Sequence, residues 1–87
     1  MYLILYTKPD CHLCEGLEEK LRQITAFSVE LELRDITTNE NWFNLYQYEI
    51  PVLFCKNQDQ EIPISRPSPR ASVKQLEKLL ENNPLLR

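Results

Sequence analysis

The chain has 87 residues, 43% of them hydrophobic and 26% charged, with 10 Lys and Arg against 13 Asp and Glu for a formal net charge of −3. One domain with one small core is expected, since a chain of this size buries only ~60% of the surface its unfolded form exposes; the apolar content excludes a disordered chain, and the acidic balance argues against a nucleic-acid or anionic-membrane surface. Three cysteines are too few for a disulfide scaffold and odd in number, which points to a reducing, cytoplasmic setting, while the single glycine, Gly16, excludes both a GxGxxG fingerprint and a Walker A loop.

Met1 to Tyr6 is apolar but meets Thr7, Lys8, Pro9 and Asp10, so it is too short for a signal-peptide core or a membrane span. Tyr2 to Tyr6 reads as a strand covered on both faces. Leu13, Leu17, Leu21 and Ile24 then recur at helical spacing among Glu15, Glu18, Glu19, Lys20, Arg22 and Gln23, predicting an amphipathic helix. Phe27, Val29, Leu31 and Leu33 alternate with Ser28, Glu30, Glu32 and Arg34. That period predicts a strand with one face toward solvent, at an edge.

Thr37, Thr38 and Asn39 offer caps for a short helical segment, Trp42 to Tyr46, with Trp42, Leu45 and Tyr46 facing inward. Gln47 stands at the end of that segment, where glycine is expected. Ile50 to Cys55 is a second apolar strand. The polar turn Lys56 to Gln60 leads into a returning strand, Glu61 to Ile64, and the two form a hairpin. After the break Arg66-Pro67-Ser68-Pro69-Arg70, Ser72 with Gln75 is a capping-box signature for a helix carrying Val73, Leu76, Leu79 and Leu80, closed by Asn82-Asn83-Pro84. The order is βαβαββα in a single domain spanning the chain.

Cys11-His12-Leu13-Cys14 falls where the first strand hands over to the first helix. Free amide groups and the positive end of a helix dipole favour the thiolate, the nucleophilic form of cysteine. Cys11 is the better placed to attack, and Cys14, one turn on, to resolve. Lys8 and His12 are candidate thiolate-tuning groups, with Asp10 and Glu15 opposing them. His12 has the plainer alternative of an exposed loop histidine. A zinc site is the rival for the pair, but its further ligands would come from Cys55, His12 or scattered carboxylates. Cys55, inside an apolar strand, reads as core filler. Trp42, Phe43, Tyr46 and Tyr48 read as core and rim.

The segment Tyr6-Thr7-Lys8-Pro9-Asp10-Cys11-His12-Leu13-Cys14 resembles the active-site segment of the glutaredoxins, and Ile50-Pro51-Val52-Leu53-Phe54 resembles the strand that carries the cis-proline of the thioredoxin fold. The resemblance implies an α/β, thioredoxin/glutaredoxin-like fold with a four-stranded mixed sheet flanked by three helices. It also implies a cis Pro51 beside Cys11, an Ile50 backbone open to an extended substrate, and thiol–disulfide exchange in which Cys11 attacks and Cys14 resolves. Protein or small-molecule disulfides are the implied substrates, with a separate electron donor, no resident cofactor or metal, and a monomeric state. The chain departs from the family after the hairpin, where the Gly-Gly pair that cradles glutathione is absent. Arg66 or Arg70 is the candidate replacement for that charge, with glutathione retained only as a candidate reductant. Two rivals use the same fold: an adaptor that docks partners at Pro51 without turnover, and a metal or iron–sulfur carrier that dimerises through Cys11.

Overall fold

The computed structural model describes residues 1–83. Eight elements follow in chain order: β1 (Tyr2–Thr7), α1 (His12–Arg22), β2 (Glu30–Asp35), a 3₁₀ turn (Ile36–Thr38), α2 (Glu40–Tyr46), β3 (Val52–Asn57), β4 (Gln60–Pro63) and α3 (Val73–Glu81). The strands form one sheet in the order β2-β1-β3-β4. β1 runs parallel to β2 across the α1 crossover and antiparallel to β3, and β3 pairs antiparallel with β4. This is the expected four-stranded mixed sheet with three α-helices among the described residues. Pro84, expected to close the last helix, lies outside them.

β1 is central, and its alternation divides the core. Leu3 and Leu5 face α1 and α3, where Leu21, Leu53, Leu76 and Leu80 meet them in one buried cluster. Ile4 and Tyr6 point the other way, toward Ile36, Trp42 and Tyr46. Leu3, Ile4, Leu5 and Leu21 are fully buried, each such side chain stabilising the fold by about 1.5–3 kcal/mol. The covering helices are set by local signals. Ser72 and Gln75 form the reciprocal capping box that starts α3, and the Asn39 side chain accepts from the Trp42 amide to start α2.

Element bounds shift from expectation where a partner strand decides them. The alternation begins at Phe27, yet β2 begins at Glu30, because an edge strand has one neighbour and β1 starts at Tyr2; the Glu30 amide donates to the Met1 carbonyl at 2.9 Å, where the ladder opens. Phe27 and Val29 still pack against the core from outside the sheet. α1 ends at Arg22, and Ile24 reaches the core from the turn that follows. Leu45, expected inward, is 65% exposed, because seven residues of α2 cover only part of the sheet. Gln47 needs no glycine: its φ of −56° is right-handed. The left-handed positions are Asp10 and Gln58, at φ 63° and 58°, one before the cysteine motif and one in the β3–β4 turn.

Candidate redox site

Cys11 is the N-cap of α1. Its backbone is extended, its carbonyl accepts from the Glu15 amide at 3.0 Å, and its Sγ accepts from the Cys14 amide at 3.3 Å. A sulfur therefore occupies the place that a serine or aspartate oxygen fills at an ordinary helix start. The Lys8-Pro9-Asp10 turn brings the chain there, with Asp10 in the left-handed region that aspartate tolerates. Cys14 is one helical turn along, 1% exposed, and bridged to Cys11 in a disulfide with Cα atoms 5.3 Å apart. Cys11 is only partly buried where Cys14 is buried, so the two cysteines differ in access to solvent.

The two residues between the cysteines point outward. His12 is exposed, with Nδ1 3.5 Å from the Glu15 carboxylate, so its nearest charged neighbour is acidic. Lys8 is exposed on the preceding turn. Leu13 is 53% exposed and forms, with His12, one lip of a cleft of about 180 Å³. Gly16, Leu17 and Lys20 line the α1 wall of this cleft, Pro51 its floor, and Arg66, Pro67 and Pro69 the opposite wall. The structure thus brings His12, Pro51 and Arg66 to one depression.

The Ile50–Pro51 peptide is cis. Ile50 is not open as the resemblance implied: its amide donates to the Tyr46 carbonyl at 3.1 Å, and its carbonyl accepts from Arg66 at 3.0 Å. The first bond exists because the chain leaves α2 through a tight turn that spends the Ile50 N–H. The second comes from a side chain carried back over Pro51 by the segment after β4.

That segment offers few donors to a carboxylate. Pro67 and Pro69 have no amide hydrogen. The Arg70 amide donates to Ser68 Oγ, the Ala71 amide to the Ser68 carbonyl, and the Ser72 amide to Gln75. Arg70 itself is exposed and does not line the cleft. Sequence reasoning missed Lys20, whose ammonium donates to the carbonyls of Pro69 and Ala71 at 2.9 and 2.7 Å and straps the segment to α1. Helical spacing places Lys20 beside Gly16 and Leu17, but backbone acceptors 49 and 51 residues away leave no mark in a sequence.

Cys55 is buried on β3, apart from the bridged pair, and desolvation pushes its thiol above the ordinary value. Among the described residues there is no group of three or more His, Cys, Asp and Glu that could hold a metal ion. No described helix is long and apolar enough to cross a membrane.

Comparison with solved structures finds a structural genomics target protein, XcR50, of X. campestris, 27% identical, with a TM-score of 0.66 over 94% of this chain and 99% of that one. Thioredoxin 1 of the thermophilic eubacterium Thermosipho africanus is similar in fold, with 18% identity and a TM-score of 0.63 over 93% of this chain and 91% of its own. No curated protein matches significantly. Residues 2–81 match the model of the glutaredoxin-like domain (DUF836). With a thioredoxin-like sheet and a bridged cysteine pair at the start of its first helix, the chain belongs to this glutaredoxin-like family.

Proposed function

We propose that this protein is a thiol–disulfide oxidoreductase in which Cys11 is the nucleophile and Cys14 the resolving thiol. The observation that carries the reading is the Cys11 sulfur at the N-cap of α1, accepting the Cys14 amide and bridged to that buried residue. In the reduced protein the same amide faces a thiolate, a stronger acceptor than a disulfide sulfur, so the helix start favours the reactive form.

The Cys11 thiolate attacks one sulfur of a substrate disulfide; that bond breaks, a mixed disulfide forms, and the released thiolate takes a proton. Cys14 then loses its proton and attacks Cys11 Sγ, releasing the second substrate thiol and leaving the Cys11–Cys14 bridge. Two electrons pass from the cysteine pair to the substrate. A thiol or dithiol donor returns the pair to the reduced state. Lys8 and His12 are proposed to tune the thiolate, and Ile50, Pro51 and Arg66 to hold the substrate. With the Pro67 and Pro69 amides absent and those of Arg70, Ala71 and Ser72 engaged, the segment from Pro67 to Ser72 is a poor cradle for glutathione, which favours a protein dithiol as donor. We place the monomer in the cytoplasm, where free thiols persist.

The test is Cys14→Ser. Incubated with peptide disulfides, this variant is expected to accumulate one mixed disulfide, mapped by mass spectrometry to Cys11, whose thiol titrates below the ordinary ~8.5. A Cys11 that captures nothing and titrates at the ordinary value overturns the reading in favour of a non-catalytic adaptor.

A further inference from the structure

We infer that Arg66 gates the backbone ahead of Pro51 and opens for acidic peptide disulfides; the inference rests on the oxidoreductase reading and names its substrate class. Ile50 carries one N–H and one C=O beside the cis bond, and both are in use. The amide bond to Tyr46 is backbone to backbone. The carbonyl bond comes from an exposed guanidinium, which water can replace at little cost. An extended peptide that pairs with Ile50 must therefore displace Arg66 and, where it shields the carbonyl from water, supply an amide donor in its place. A small disulfide without amides makes no such bond.

Arg66 lines the same cleft as His12 and Leu13, so its guanidinium can stay within that cleft when displaced. Lys20 is the other permanent cation there, no carboxylate lines that depression, and two of the Lys20 donors are held by backbone carbonyls. Arg66 is thus the movable fork, shaped for a planar carboxylate. On the other side of Pro51 a second depression, shared by Arg66, contains Glu49. An acidic peptide is repelled from that side and admitted beside α1. The exchange is balanced in hydrogen bonds: Arg66 leaves a carbonyl for a carboxylate, and the peptide amide takes its place.

Two cysteine peptides, each disulfide-linked to a second copy of itself and differing only by Asp or Asn next to cysteine, test the inference. Binding is measured by NMR titration of the Cys11→Ser/Cys14→Ser protein, and reduction by the unsubstituted protein with dithiothreitol as donor. The Asp peptide is expected to bind about fivefold more tightly. Arg66→Ala is expected to bring the two affinities together, and Arg66→Lys to keep part of the preference. An Asp/Asn ratio near one in the presence of Arg66, or an unchanged ratio in Arg66→Ala, overturns the gate. Arg66-dependent binding without reduction sinks the oxidoreductase reading and supports the gate; reduction with an Arg66-independent ratio does the reverse.

Discussion

The guanidinium of Arg34 lies over the ring of Tyr6, 5.5 Å from its centroid, and donates through Nη1 to the hydroxyl of the same tyrosine at 2.7 Å. From the β2 edge it also pairs with Glu32 and, at 3.2 and 3.3 Å, with both oxygens of Glu61 on β4 at the opposite edge. Its other aromatic neighbour is Trp42, at 5.4 Å. Burial works against the charge, yet the hydrogen bonds to Glu32, Tyr6 and Glu61 raise its pKa further. Arg34 therefore straps the sheet face that α2 leaves partly open.

Removing that strap is expected to destabilise the fold. Arg34→Met should lower unfolding free energy by about 1–3 kcal/mol, since Glu32 and the Tyr6 hydroxyl lose a charged partner in a half-buried place. Arg34→Lys should recover less than half, because an ammonium cannot bridge Glu32, Tyr6 and Glu61 together. Urea unfolding followed by circular dichroism measures both, and a Lys variant equal to the parent would show that charge alone suffices.

The same network sets an acid limit. Hydrogen bonds from Tyr2 and then Arg34 hold the Glu32 carboxyl below its ordinary value, and the Tyr2 hydroxyl is correspondingly raised. A depressed carboxyl contributes stability that is present above its unfolded pKa, about 4.3, and is lost as pH falls through the lower folded value. Stability should fall on acidification below about pH 4.5, and Glu32→Gln should flatten that fall. Urea midpoints from pH 6 to pH 3 decide it; parallel curves for the two proteins would rule Glu32 out.

Gly16 sits in the interior of α1, and a Cβ added there meets nothing within 4 Å. Gly16→Ala should stabilise the protein by about 0.5–1 kcal/mol through the lower conformational entropy of the unfolded chain. Thermal unfolding should show a midpoint higher by a few degrees. An unchanged or lower midpoint would mean that the helix needs its glycine for a reason other than space.

Cys55 is 4% exposed and its thiol is raised by desolvation. Iodoacetamide added to the reduced, folded protein at pH 8 should modify Cys11 first and reach Cys55 only in denaturant, as mass spectrometry of digests will show. Rapid native alkylation of Cys55 would show its thiol to be accessible and overturn its reading as core filler.

What could be read along the chain is what neighbouring residues dictate. The element order, the Ser72–Gln75 capping box, the inward stripe of Leu76 and Leu80, and the CxxC at a helix start are all marked by patterns within a few turns of chain, and the structure contains each. The strand bounds were less legible, since Glu30 becomes the first residue of β2 only because Met1 and Tyr2 stand opposite. Glu32 and Arg34 read as the solvent face of an edge strand. Only the fold brings Tyr6, Trp42 and Glu61 over that face and turns it into a network.

The site divides in the same way. The sequence by itself determined where the cysteine pair lies, because a CxxC at the junction of a strand and a helix puts one sulfur at the helix N-cap wherever that helix packs. Tertiary structure alone decided what surrounds the pair. Lys20 reaches carbonyls far along the chain, and Arg66 closes on Ile50, whose amide the turn after α2 has already taken. Backbone carbonyls are present at every position and carry no residue identity, so which one a distant cation meets is settled only when the chain has folded.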